Sequence, residues 1–160
     1  DAANTQMHYE TVEYKNRLFK ENYCIIISKN SYEVISMDIQ KVLIADDEKH
    51  IREILKMYCE KEGFDVIEAA DGAEAILKVQ SEKPDILILD IMMPKIDGYT
   101  ATRVIRSTNR QDAKAIPIIA MTANAFREDK EKCLAAGMNA HLAKPIKIEN
   151  IKRILCEYCV

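Results

Sequence analysis

From Lys41 onward, five short apolar runs alternate with five stretches whose apolar residues recur at helical spacing, and nothing else in the chain constrains its fold as strongly. The first run, Lys41-Val42-Leu43-Ile44-Ala45, is nearly continuous, as in a strand buried on both faces. Behind it, Ile51, Ile54, Leu55 and Tyr58 fall at i, i+3, i+4 and i+7, a helix stripe that Gly63 ends. Residues 65–69 read as a second, weaker strand, and Asp71-Gly72 as a turn before a helix over 73–81. Ile86 to Leu89 is the third strand, and Asp97-Gly98 leads into a helix with Ala101, Val104 and Ile105 inward. Pro117 to Met121 is the fourth strand, followed by a helix over 125–136 that Gly137 stops. His141-Leu142-Ala143 closes the series, and Ile148, Ile151, Leu155 and Tyr158 mark the last helix. Strands that are each followed by a helix imply an α/β fold, a doubly wound five-stranded parallel sheet with helices on both faces. Such sheets bind ligands beyond the carboxyl ends of their strands, where the strand order reverses.

The 160 residues suffice for one domain with a sizeable core, and 48% apolar with 31% charged residues argues for a folded chain. A net charge of −3 offers no basic stripe for nucleic acid. No apolar run approaches the roughly 18 residues of a membrane span. The opening DAANTQMHYETVEYK lacks a secretory pattern, so a cytoplasmic location away from the membrane is expected. Five cysteines at irregular spacing make a poor disulfide framework. Cys156 and Cys159 form a C-x-x-C in a last helical turn, not at the helix start that would activate a thiol. His8 and His50 read as surface residues, and Met92, Met93 and Met121 as packing and loop residues.

Residues 1–36 lie outside the alternation. They hold four tyrosines and one apolar run, Cys24 to Ile27, which reads as a strand with nothing to pair with. Met37 stands where a natural start is expected, so residues 1–36 read as a non-native or disordered extension and residues 37–160 as the domain.

The residues that follow the strands carry the chemistry. Asp46 and Asp47 follow the first, Asp90 the third, Thr122 the fourth, and Lys144 with Pro145 the fifth. Clustered carboxylates repel and resist ionising, so stability alone gives no reason to gather three of them. A divalent cation resolves the conflict: magnesium takes one or two carboxylates and keeps waters that a phosphate can replace. One carboxylate can then act as a nucleophile towards phosphorus. Catalysis of such a transfer is mostly positioning and charge neutralisation, for which Lys144 supplies a point charge and Thr122 a hydroxyl donor.

Residues 41–158 resemble the receiver domain of bacterial response regulators. The stretches that carry the resemblance are VLIADDE (42–48), DILILDIMMPKIDG (85–98), PIIAMTA (117–123) and AKP (143–145). The resemblance implies a flavodoxin-like receiver fold with Asp90 as the phosphoacceptor. It implies magnesium, or manganese in its place, on Asp46, Asp47, Asp90 and the backbone carbonyl of Met92. Thr122 and Lys144 would contact the phosphoryl group, with a cis peptide between Lys144 and Pro145. The donor would be a phosphohistidine on a sensor histidine kinase or a histidine phosphotransfer protein.

Thr122 and His141 are the implied switch residues, although His141 stands where the family usually has Tyr or Phe. The output face would be the fourth helix, fifth strand and fifth helix of the domain, meeting a downstream protein or a second phosphorylated copy. AMTANAFREDKEKCLAAGMNAHLAKPI (120–146) is similar to receivers of hybrid histidine kinases, and EGFDVIEAADG (62–72) to those of transcriptional regulators. The chain therefore reads as a single-domain regulator, or as a receiver cut from a hybrid kinase or a DNA-binding regulator, with no output domain expected. A haloacid-dehalogenase-type phosphatase needs a second aspartate two residues beyond the nucleophile, and Met92 occupies that position. A docking-only relative would lack an acid or the lysine; this chain has all of them.

Overall fold

The computed structural model describes residues 23–28, 31–36, 40–109, 111–123 and 126–159. They belong to two units, Asp1–Met37 and Asp38–Val160. In the first, β1 (Tyr23–Ser28) pairs antiparallel with β2 (Ser31–Ser36), with Ile25 opposite Val34 and Ser28 opposite Ser31. This corrects the sequence expectation of an unpaired strand. The partner segment, Ser-Tyr-Glu-Val-Ile-Ser, mixes polar and apolar residues and shows no unbroken apolar run. Most of the expected extension, His8 and the expected start at Met37 lie outside the described residues.

The second unit carries β3 (Lys41–Ala45), α1 (Lys49–Lys61), β4 (Asp65–Ala69), α2 (Gly72–Glu82), β5 (Ile86–Asp90) and α3 (Gly98–Ser107). It continues through β6 (Ile118–Thr122), α4 (Arg127–Ala136), β7 (Ala140–Ala143) and α5 (Ile148–Tyr158). The five strands form one parallel sheet in the order β4-β3-β5-β6-β7. The fold class is the expected one. Boundaries differ by a residue or two: Asp90 and Thr122 are the last residues of their strands, and α4 starts at Arg127. Residue 125, expected at its start, lies outside the described residues.

Strand side chains alternate between faces, and here each face is covered. Leu43, Leu87, Leu89 and Ile118 pack with Ala75 and Val79 of α2, Ile105 of α3 and Cys133 of α4. Val42, Ile44, Ile86, Ile88 and Ile119 pack with Leu55 and Cys59 of α1 and Ile151 and Leu155 of α5. Both sides of the inner strands are therefore dry, which is why their sequences show unbroken apolar runs. Each buried Leu, Ile or Val side chain contributes about 1.5–3 kcal/mol.

The helix faces are less as expected. In α1 Cys59 is fully buried while Ile54 is 41% exposed, and in α3 Thr102 is inward while Val104 is 38% exposed. Thr102 is tolerated there because its hydroxyl donates to the Gly98 carbonyl at 2.8 Å. Asp71 and Asp97 cap α2 and α3, accepting from the backbone N–H groups of Glu74 and Thr100, each at 2.9 Å. Among the described residues no helix is long and apolar enough to cross a membrane.

Candidate functional site

Parallel pairing brings the strand ends together. Ala45 is opposite Leu89, so Asp46 leaves β3 beside Asp90 at the end of β5. Asp90 is opposite Met121, and Thr122 opposite Ala143, which sets Thr122 and Lys144 at the same edge. The chain runs from β3 out to β4 and returns to the other side of β3 with β5. Asp46, Asp47 and Asp90 thus sit at the point where strand order reverses.

Each of these three residues offers a carboxylate oxygen, and the three oxygens lie within 4.8 Å of one another. Asp46 is fully buried, Asp90 is 4% exposed, and Asp47 faces solvent. Lys144 Nζ lies 2.8 Å from Asp46 Oδ2, 3.4 Å from Asp90 Oδ2 and 3.9 Å from Glu48 Oε1. One ammonium therefore faces more negative charge than it can balance.

Burial, and then the charge of Asp46, push the Asp90 carboxyl above its ordinary value, against the pull of Lys144 and the Met92 N–H. Burial also opposes the charge on Lys144. The hydrogen bond to Asp46 and the charge of Asp90 outweigh it, and the Lys144 ammonium is held above its ordinary value.

Asp46 Oδ1 accepts the Glu48 N–H at 2.9 Å. Its Oδ2 is buried, and the Lys144 ammonium at 2.8 Å is the contact it has among the described residues. A buried, under-satisfied carboxylate oxygen beside two further carboxylates is the donor set of a hard divalent cation. The residues present fit magnesium.

The remaining expected residues are distributed as follows. Thr122 is 4% exposed, and its carbonyl accepts the Lys144 N–H at 2.7 Å. Met92 turns its side chain to solvent. His141 is half-buried on β7, opposite Ala120, and the pleat directs it to the sheet face that α2, α3 and α4 cover. The Lys144–Pro145 peptide is cis.

Cys156 is exposed, and burial pushes the Cys159 and Cys59 thiols up to about 11 and about 12. Both stay protonated near neutrality and are poor nucleophiles.

The response regulator receiver domain, as a sequence family, matches residues 42–155, which span every element of this site. The chain belongs to this family. Among its relatives, the sensor protein EvgS of Escherichia coli is 40% identical over 116 residues, covering 72% of this chain and 9% of EvgS. The chain spans less than half the length of the curated relatives it matches. The solved receiver domain of sensor histidine kinase PA1611 from Pseudomonas aeruginosa, with magnesium coordinated in its active-site cleft, is 36% identical, with a TM-score of 0.69. That likeness covers 76% of this chain and 98% of the other. The receiver domain of Saccharomyces cerevisiae Ssk1, solved with the phosphotransfer protein Ypd1, is 26% identical, with a TM-score of 0.70 over 75% of this chain and 88% of that one.

Around the receiver site the structure adds residues that sequence reading missed. Arg52 of α1 donates from Nη1 to the carbonyls of Asp46 at 2.7 Å and Asp47 at 3.3 Å. Lys95, in the loop after Asp90, pairs with Asp71 at 2.6 Å. Arg52 had one sequence trace: a cation near the start of a helix opposes the helix dipole and needs another partner.

Proposed function

We propose that this receiver domain takes a phosphoryl group from a phosphohistidine onto Asp90 and relays it as a change in protein affinity. One observation carries the reading: three carboxylates within 4.8 Å of one another, two of them buried and both contacted by Lys144. Magnesium, or manganese in its place, held by Asp46, Asp47, Asp90 and the Met92 carbonyl, supplies the positive charge that lets the acids ionise together near a phosphoryl group.

An Asp90 carboxylate oxygen attacks phosphorus, and the bond from phosphorus to the donor imidazole nitrogen breaks. The nitrogen keeps the electron pair and takes a proton, so the donor leaves as neutral histidine. Lys144 moves from its carboxylate partners onto a phosphoryl oxygen, and the Thr122 hydroxyl donates to another. Drawing Thr122 towards the phosphate frees space on the face it shares with His141. His141 then shifts, and the surface of α4, β7 and α5 takes up its second packing.

The partners in this reading are a sensor histidine kinase or a histidine phosphotransfer protein as donor, and a downstream protein or a second copy at the output face. Nucleic acid and membrane play no direct part. The domain acts in the cytoplasm, catalyses only its own phosphorylation and dephosphorylation, and comprises residues 37–160 with 1–36 as an extension. The parent protein is a hybrid kinase or a regulator that carries this domain.

Intact mass after incubation with magnesium and acetyl phosphate tests the proposal. A gain of one phosphoryl group that EDTA and Asp90→Asn both abolish is expected. No gain by the folded chain would reduce it to a docking module.

A further inference from the structure

We propose that Arg52 is a positioning residue for the acidic loop, holding the main chain of Asp46 and Asp47 so that their carboxylates face Asp90. The inference rests on the magnesium-dependent reading above and deepens it.

The connection from β3 to α1 is short, and no side chain caps the helix at Glu48. Past Ala45 the strand pairing ends, so the carbonyls of Asp46 and Asp47 have left the ladder. Arg52 takes both, at 2.7 and 3.3 Å from one nitrogen. Its Nε lies 3.4 Å from Glu68 Oε1 at the end of β4, and its side chain is only 13% exposed. Lys56 Nζ, 3.3 Å from Glu68 Oε2, holds that carboxylate from its other side.

Fixing two successive carbonyls fixes two peptide planes, and with them the directions in which the Asp46 and Asp47 side chains leave the backbone. The planar guanidinium can reach two carbonyls and a carboxylate at once, which the single ammonium of a lysine cannot reproduce. A purely electrostatic role predicts the opposite sign. The Arg52 charge repels an incoming cation, so removing it would tighten magnesium binding.

The test uses the full chain titrated with magnesium chloride by calorimetry, with backbone amide exchange read over residues 46–48. Arg52→Gln and Arg52→Lys should each weaken magnesium about tenfold, as loss of outer support does at other metal sites. Both should also speed exchange of the loop amides. Glu68→Gln should do the same to a smaller degree, and phosphorylation by acetyl phosphate should recover at saturating magnesium. Unchanged or tighter magnesium binding by Arg52→Gln, or parental behaviour of Arg52→Lys, would overturn the proposal. Should Arg52→Gln fail to fold, Arg52→Lys and Glu68→Gln decide it. Failure of the parent to bind magnesium would remove the functional reading instead. Loop exchange in the metal-free chain would then still decide Arg52, faster exchange supporting it and parental exchange refuting it.

Discussion

Lys95 Nζ lies 2.6 Å from Asp71 Oδ2, tying the loop that follows Asp90 to the first turn of α2. Lys95 adopts a left-handed backbone conformation, φ 63°, as it reaches across. Beside it, the Gly72 backbone packs so closely on Ile96 that a Cβ there would meet the Ile96 carbonyl oxygen at 2.1 Å. An ion pair and a close approach thus fasten the same loop to the same helix start.

The ion pair sets a pH dependence. The hydrogen bond from Lys95, and then the one from the Glu74 N–H, hold the Asp71 carboxyl below its ordinary value. A depressed carboxyl adds stability that is complete above its unfolded value, ~3.9, and is lost as pH falls through the folded value. Its bond to Asp71 raises Lys95, whose share is complete below ~10.4 and is lost as pH rises through its own folded value. Lys95→Met should therefore melt below the parent at mid-range pH, with the gap narrowing in acid. Thermal melts across the acid range check this, and a gap that stays constant there would count against it.

Gly72 and Gly98 are demanded by space, since neither has a left-handed φ. A Cβ on Gly98 would lie 2.4 Å from the Asp90 carbonyl oxygen. Gly72→Ala and Gly98→Ala should each cost about 1–3 kcal/mol in urea unfolding, the usual range for overpacking. Gly98→Ala should in addition weaken magnesium binding, because the displaced backbone is that of Asp90. Equal magnesium affinity in both variants would separate the loop packing from the site.

Arg106 is a structural counterpart to Arg52. Its guanidinium donates to the carbonyls of Ala113, Ile116 and Gly137 and to Asn139 Oδ1, joining α3 to the segments before β6 and β7. Burial lowers its pKa, the sign of a desolvated cation. Arg106→Ala should cost about 3 kcal/mol, because the part-buried carbonyls of Ala113, Ile116 and Gly137 lose their donor. Arg106→Lys should recover only a fraction in chemical denaturation, and full recovery would show that charge, not the fork, is what the site uses.

Asp90→Asn removes one of three clustered negative charges. The metal-free variant should melt above the metal-free parent, since fewer like charges are held together. Magnesium at a hundredfold excess over its Kd should stabilise the parent by about 2.7 kcal/mol, and the variant by much less. Calorimetric scans with and without magnesium test both halves, and an equal gain in the two proteins would place the cation elsewhere.

The strands were legible because β5 and β6 are fully buried and β3 nearly so, leaving their apolar runs unbroken. Helix faces were less so. Ile54 and Val104 fit the apolar stripes and yet are exposed, whereas Thr102 and Cys59 are buried. Periodicity gives the existence of a face, and packing against the sheet gives its direction. The pairing of Cys24 to Ile27 was not legible, because its partner strand carries no apolar run of its own.

By itself the sequence determined the acids, the threonine and the lysine at the strand ends. A polar residue that closes an apolar run is a local pattern and can be read one strand at a time. Only the tertiary structure decided what holds them in register. Asp71 and Lys95 stand 24 positions apart, and Arg106 and Gly137 stand 31 apart. Such pairs meet only after the strand order is set. The carbonyls that Arg52 and Arg106 bind belong to the main chain, which every residue shares, so no residue type announces them.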